Sequence, residues 1–420
     1  MKRISCWVLL FLLCCNVGLA DDKATLQAAQ KEYPTPRLMA LWQTARHDPD
    51  KLIGFYQNLA DKHVIDTIAG EEEAVLVTYF ALGSADTDYI LQSGGPDFFG
   101  LRFKQIANSR LYFCTQRIPK DAMFIYGYNE FTRKREGDVF VTEMRHIYDG
   151  AVIGPDAPLS DFLQPSDFVA KGQLIEREIS SQAFGGKRKI TLYLPADYSP
   201  QRRYKTLIMF DGRAFSAPPD AADAWRSWVP TPTILDNMIA AKRVAPTVAV
   251  FIWNQGRRDT DLIGAQMQTF VVDELLSWLR KEYAVSNHAS DVVLAGASRG
   301  GYSAASIALA RPDKIGNVLS QTGSYWITAP DKENWPVYPE FDGHLIDAYK
   351  QSAALPVRFY LSAGLYDLGA AYLGSNRQLR DILQVKGYAV MHTEFKGGHA
   401  YLNWRHDLPI GLEYLLGQRQ

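Results

Sequence analysis

One stretch decides most of what this chain can become: Val292-Val293-Leu294-Ala295-Gly296-Ala297-Ser298-Arg299-Gly300-Gly301-Tyr302. A short apolar run rich in β-branched residues ends in Gly-x-Ser-x-Gly, and small residues at helical spacing (Ala304, Ala305, Ser306, Ala308) follow it. The pattern reads as strand, sharp turn, helix. In such a turn the serine takes strained φ/ψ values with its hydroxyl raised above the sheet edge, and the flanking glycines let strand and helix approach closely. The helix N-terminus beneath it favours developing negative charge, so the backbone N–H of Arg299 is the first expected donor to an oxyanion.

The chain around this stretch has 420 residues, 47% hydrophobic and 22% charged, enough for two domains. Its start reads as neither domain. Lys2 and Arg3 precede an apolar run from Trp7 to Cys15, and Gly18-Leu19-Ala20 supplies small residues for cleavage. We read residues 1–20 as a signal peptide and expect a periplasmic or secreted protein. A membrane anchor would need about 20 apolar residues, and a lipoprotein signal would want a small residue where Leu13 stands before Cys14. Cys6, Cys14 and Cys15 lie in that leader, so Cys114 alone would remain and no internal disulfide could form. Losing Lys2 and Arg3 with the leader would move the net charge from −1 to −3, which marks no global basic field for nucleic acid.

Between residue 24 and about 63 the spacing predicts amphipathic helices, with Leu52, Phe55, Tyr56 and Leu59 on one face. From Val75 short β-branched and aromatic runs take over, separated by turn signals such as Gly94-Gly95-Pro96, and these predict a small β-sandwich within residues 21–156. Residues 157–171 follow a Pro- and Gly-rich turn and read as a linker. In residues 172–420 strands alternate with helices, the longest helix running from about Gln266 to Glu282, which predicts an α/β domain with a mostly parallel sheet covered on both sides.

Chain order then places the chemistry. The predicted strand Val357–Leu361 leads to Asp367, and the predicted strand Ala389–Phe395 leads to Gly397-Gly398-His399. Both lie just past the carboxyl ends of strands, on the same rim as Ser298, in the order Ser, acid, His. A serine hydroxyl is barely nucleophilic at neutral pH and needs a base, and the imidazole needs a carboxylate to hold its tautomer. Asp342, Asp347 and Glu394 are alternative acids in the same half. The Asp211-Gly212 turn after an earlier strand makes the N–H of Arg213 the second expected oxyanion donor. No metal-ligand spacing is present, and no cofactor is expected.

At these residues a resemblance becomes specific. Gly397-Gly398-His399 with Trp404-Arg405, the run Leu319-Ser320-Gln321-Thr322-Gly323-Ser324-Tyr325-Trp326, Asp211-Gly212 and Arg258-x-x-Asp261-Leu262 resemble the enterochelin esterase family over nearly all of residues 172–420. Val77-Thr78-Tyr79-Phe80 and Arg117-Ile118-Pro119-x-Asp121-Ala122-x-x-x-Tyr126 resemble that family's amino-terminal domain. The resemblance implies an α/β-hydrolase fold and hydrolysis of the trilactone of a catecholate siderophore, with Ser298 as nucleophile, His399 as base and Asp367 as acid. Ala400 departs from the Asp common after the histidine, and Arg299 replaces an apolar or aromatic residue, placing a cation beside the scissile ester.

A ferric tris-catecholate is anionic and aromatic, so its site wants guanidinium groups and flat rings. Arg257, Arg258 and Arg405, with Tyr325, Trp326 and Trp404, are the expected contacts. The expected partner is a small-molecule ester, a ferric siderophore under this resemblance, with no nucleic acid and no stable membrane insertion. Two other readings remain open: an esterase acting on acetylated or feruloylated carbohydrate, and a binding protein that keeps a hydrolase fold without turnover.

Overall fold

A computed structural model describes residues 27–97, 100–136, 139–218, 220, 224–328 and 343–417. The expected signal peptide and Asp342 lie outside the described residues. The chain divides into two compact units, the first comprising residues through Ser93, Gly100–Ile118 and Gly127–Gly150, and the second including Pro119–Tyr126 and everything from Ala151.

The first unit holds helices α1 (Pro36–His47) and α2 (Lys51–Asn58). Thr35 caps α1, its hydroxyl accepting from Leu38 N–H at 3.2 Å, and Pro36 occupies the first helical position, where its missing N–H costs nothing. Leu38, Leu41, Trp42 and Leu52 pack on Phe80, Ile106, Leu111 and Phe113. Two four-stranded sheets follow. One has the order β1 (His63–Ile68), β2 (Glu71–Leu82), β6 (Leu111–Pro119), β5 (Lys104–Gln105); the other runs β4 (Leu101–Arg102), β3 (Thr87–Ser93), β7 (Met123–Glu136), β8 (Val139–Ile153). Tyr79 of β2 meets Tyr128 of β7 edge-on at 6.5 Å, so the two sheets share a core, as the alternating runs predict. Cys114 is buried there as a free thiol, and burial pushes its pKa up.

The second unit is built on eight strands: β9 (Gln173–Ser181), β10 (Gly186–Leu194), β11 (Lys205–Met209), β12 (Thr247–Ile252), β13 (Val292–Ala297), β14 (Asn317–Gln321), β15 (Arg358–Gly364) and β16 (Ala389–Phe395). Their order is β16-β15-β14-β13-β11-β12-β10-β9; β10 is antiparallel to β9 and β12, and the other pairs are parallel. Alternate residues serve opposite faces. Val292 and Leu294 join one core with Ile208, Val250 and Phe359, while Val293 and Ala295 join the other with Leu207, Phe251 and Tyr360. A strand buried on both faces needs an unbroken apolar run, which is why β13 has no polar alternation.

Within residues 157–171, read as a linker, Asp161–Leu163 forms a 3₁₀ turn, Leu163 is buried, and Asn237 of helix α3 (Thr231–Ala240) donates to the carbonyls of Phe162 and Gln164 at 2.8 Å each. The long helix is interrupted, since Ala265–Thr269 and Leu276–Glu282 are α-helical while Phe270–Leu275 winds as a π-helix. The wider turn keeps Phe270, Val271, Val272 and Leu275 all buried. Strand β9, lacking a clear apolar pattern, was not expected from the sequence.

Candidate active site

Ser298 stands between β13 and helix α4 (Arg299–Ala310) at φ 57° and ψ −122°, a conformation rare for any residue with a side chain. Hydrogen bonds hold it there: its N–H donates to Gln321 O at 2.9 Å, and its carbonyl accepts from Tyr302 N at 3.1 Å and Ser324 N at 3.0 Å. Gly296 is required by contact, since a Cβ there would stand 2.6 Å from the carbonyl carbon of Gly300. The residue is 7% exposed, and its hydroxyl lies 3.3 Å from that of Ser324.

Asp367 and His399 follow β15 and β16, and backbone bonds tie their loops together: Leu365 N–H to Phe395 O at 2.9 Å and Tyr366 N–H to Gly397 O at 2.8 Å. His399 Nδ1 lies 3.0 Å from Asp367 Oδ2, which leaves Nε2 for other work. The Asp367 carboxylate is fully buried, and its second oxygen accepts from Leu368 N–H at 2.6 Å. The imidazole is wedged between Tyr372, 4.5 Å between ring centroids, and Trp404, which meets it edge-on at 5.0 Å. Asn403 fixes the glycine turn before it, accepting from Gly398 N–H at 3.2 Å and donating to Met123 O at 2.7 Å.

No hydrogen bond joins Ser298 to His399 in this structure. They are connected at one remove, through the end of β14. Gln321 accepts the N–H of Ser298 on its carbonyl and donates its side-chain amide to Trp404 O at 2.9 Å, while Trp404 Nε1–H donates to Thr322 Oγ1 at 2.8 Å. The same amide reaches the buried Asp407 at 2.7 Å, which also accepts from Tyr360 and Ser362 at 2.6 Å each and from Thr393 at 3.1 Å. Burial raises the Asp407 pKa, and those hydrogen bonds only partly offset the rise. The network ties β14, β15 and β16 to helix α6 (Tyr401–Leu416), on which Trp404 rides. Tyr372 lies on helix α5 (Gly369–Val385). Ser324, Asn403, Tyr372 and Asp407 received no role from the sequence; polar residues directly after the apolar strand β14 were the one available signal.

The two expected oxyanion donors each open a helical turn, where N–H groups have no intrahelical acceptor. Arg299 is the first residue of α4. Arg213 lies in the turn Gly212–Phe215, which follows Asp211 in left-handed geometry at φ 54° and ψ 42°. The Asp211 carboxylate is buried and accepts Nε and Nη2 of Arg258 at 2.6 and 2.7 Å and Asn254 Nδ2 at 2.6 Å. Burial works against the charge of Arg258, but the hydrogen bonds and charge of Asp211 outweigh it and raise its pKa.

The expected ligand contacts differ in exposure. Tyr325 is fully buried and its hydroxyl donates to Ser320 Oγ at 2.7 Å; Trp326 is 2% exposed. Both are core residues, because the run after β14 turns inward. Trp404 is 5% exposed and serves the imidazole instead. Arg258 is committed to Asp211. The Arg299 guanidinium turns to Asp259, donating to its carbonyl at 2.9 Å. Arg405 is 8% exposed; Nη2 donates to Trp228 O, Nε has no hydrogen-bond partner, and burial lowers its pKa to about 10. Of these arginines, Arg213 and Arg257 keep exposed side chains. Arg213 lies over the Trp228 ring at 5.9 Å and lines a groove of about 580 Å³ with Trp228, Trp253, Thr191 and Glu176. Among the described residues, no group of three or more His, Cys, Asp or Glu side chains could hold a metal ion, and no helix is long and apolar enough to cross a membrane.

An eight-stranded, mostly parallel sheet with a strained serine between strand and helix, and with an acid and a histidine past the ends of later strands, defines the α/β-hydrolase class. The family model described as "Putative esterase" matches residues 181–415, more than half of the chain. The chain belongs to that esterase family. Among curated proteins it is similar to an iron(III) enterobactin esterase of Dickeya dadantii (strain 3937), 26% identical over 287 residues that span 65% of this chain and 58% of the relative. It is similar also to an iron(III) enterobactin esterase of Escherichia coli (strain K12), 27% identical over 267 residues, 61% of this chain and 60% of the relative. The chain thus spans less than two thirds of the length of these relatives. The solved enterobactin esterase of Shigella flexneri, crystallised in the presence of enterobactin, shares the fold at a TM-score of 0.66 and 20% identity, covering 86% of this chain and 97% of the other.

Proposed function

We propose that this protein is a serine esterase that opens the trilactone of a catecholate siderophore of the enterobactin type through an acyl-enzyme. The observation that carries the reading is the 3.0 Å contact of His399 Nδ1 with buried Asp367, on the rim where Ser298 stands strained. In the mechanism, Ser298 Oγ turns its proton to Nε2 of His399, gives it up there and attacks the ester carbonyl. The N–H groups of Arg299 and Arg213 receive the oxyanion. His399 hands the proton to the departing alkoxide, then takes one from water as that water attacks the acyl-enzyme, and returns it to Ser298 on release. Asp367 holds the tautomer that makes Nε2 the base.

The substrate class is supported by the curated relatives, which are named for iron(III) enterobactin. Exposed Arg213 and Arg257, with the Trp228 and Trp253 groove, suit an anionic aromatic ligand. The basic-then-apolar start of the chain supports export, with iron release outside the inner membrane.

The test is to incubate the protein lacking residues 1–20 with ferric and iron-free catecholate trilactones, a short-chain aryl ester and an acetylated sugar, following product release beside Ser298→Ala. Trilactone cleavage that Ser298→Ala reduces by roughly a thousandfold or more is expected. Indifference to both trilactones with rapid cleavage of the sugar ester overturns the substrate, and full activity of Ser298→Ala overturns the mechanism.

A further inference from the structure

Ser324 is a buried hydroxyl whose surroundings leave it one task. Its side chain has no exposed surface, and among the described residues its hydroxyl has one hydrogen-bond partner, Ser298 Oγ at 3.3 Å. Either hydroxyl can donate in this contact, but once Ser298 gives up its proton only Ser324 has one to offer, and a buried hydroxyl that donated to nothing would forfeit the hydrogen bond it had in water.

The turn that presents this hydroxyl is anchored residue by residue. Thr322, at φ 45°, donates its N–H to Ser362 O at 2.7 Å and receives the indole N–H of Trp404. The carbonyl of Gly323 accepts from Asn376 Nδ2 at 2.8 Å. Ser324 N–H donates to the carbonyl of Ser298 itself at 3.0 Å, so the backbones of the two serines are held together independently of their hydroxyls. A donor fixed in advance at a reacting atom is worth more than a mobile one, because nothing reorganises when charge develops.

We infer that Ser324 is a further catalytic residue of this site, its hydroxyl donating to Ser298 Oγ whenever that oxygen carries charge. The inference rests on the esterase reading above. Charge builds on Oγ twice: when His399 removes its proton before attack, and when Oγ departs from the tetrahedral intermediate during deacylation. Ser324 keeps its own proton throughout; the transferred proton shuttles only among Ser298, His399, the leaving alcohol and water. The donor therefore contributes to both half-reactions without contacting the rest of the substrate.

The experiment compares wild type, Ser324→Ala, Ser324→Thr and Ser298→Ala in two assays, with melting temperatures recorded for each. The first is the inactivation rate by a fluorophosphonate, which reads nucleophilicity at Ser298 with little dependence on substrate fit. The second is steady-state hydrolysis of a short-chain aryl ester. Ser324→Ala should label about 10- to 100-fold more slowly and lose kcat by a similar factor with KM nearly unchanged, the size expected for one hydrogen bond to a charged atom. Ser324→Thr, which restores a hydroxyl, should recover much of the rate if its melting temperature matches the wild type. Equal or faster labelling of Ser324→Ala, correctly folded, overturns the inference, since the contact would then merely park the nucleophile. Failure of the wild type to label at Ser298 at all overturns the esterase reading instead, so the two failures are told apart.

Discussion

Asp367 holds His399 by one carboxylate oxygen and its own loop by the other: Oδ2 lies 3.0 Å from Nδ1 of the imidazole, and Oδ1 accepts Leu368 N–H at 2.6 Å. Of the alternative acids, Glu394 receives Arg377 through two contacts of 2.6 and 2.7 Å and Asp347 faces Lys350 at 3.6 Å, while Asp342 lies outside the described residues. Asp367→Asn keeps the shape but presents an amide where the carboxylate held the tautomer, so kcat should fall by about a thousandfold or more with melting temperature little changed. A loss smaller than tenfold would mean that another group supplies the charge.

Gly296→Ala tests the elbow through packing alone. The added methyl would meet the carbonyl carbon of Gly300 at 2.6 Å and its Cα at 2.8 Å, both backbone atoms that a side-chain rotation cannot clear. Strand and helix must separate. The variant should lose about 1–3 kcal/mol in denaturant titration and most of its fluorophosphonate labelling, because Ser298 is carried away with the turn. Wild-type labelling would show that the elbow tolerates the shift.

The pair Asp211 and Arg258 offers a double-mutant cycle. Removing the guanidinium leaves a buried carboxylate beside the turn that bears Arg213, so Arg258→Ala should cost about 3 kcal/mol or more and lower kcat through the displaced oxyanion donor. Asp211→Asn with Arg258→Met removes both charges together, and much of the stability should return. Additive losses in the unfolding free energies would show that the two groups do not couple.

Acid stability should report His406. Its Nδ1 accepts Ser160 N–H at 3.0 Å, which requires the neutral ring, and burial, aided by the charge of Arg405, lowers its pKa to about 4. An unfolded histidine titrates near 6.5. Between those values the unfolded chain binds a proton that the folded chain refuses, so stability is intact above about pH 6.5 and declines as the pH falls toward 4. His406→Gln should flatten that decline in urea midpoints measured at pH 7, 5.5 and 4.5. Parallel curves for the two proteins would remove His406 from the account.

The central strands of the second unit were legible because both-face burial writes itself into sequence as continuous apolar runs, as β12 and β13 show. The elbow, the acid and the histidine followed from residue type and order along the chain. The π-helical Phe270–Leu275 was not legible, since its buried side chains satisfy an α-helical pattern nearly as well. Nor was the packing of residues 157–171, whose Pro- and Gly-rich start reads the same in a free linker and in a docked segment.

What the sequence by itself determined is the local grammar: which apolar runs become strands, where the chain must turn, and which loops follow β13, β15 and β16. The tertiary structure alone decided which aromatic and arginine side chains turn inward. Tyr325, Trp326 and Trp404 are alike in composition and all lie near the rim in chain order, yet two fill the core and the third supports an imidazole. The difference depends on partners such as Gln321, 83 residues from Trp404, and Thr322, 82 residues away. Burial is a property of a neighbourhood assembled from distant segments, and residue identity does not encode which neighbours arrive.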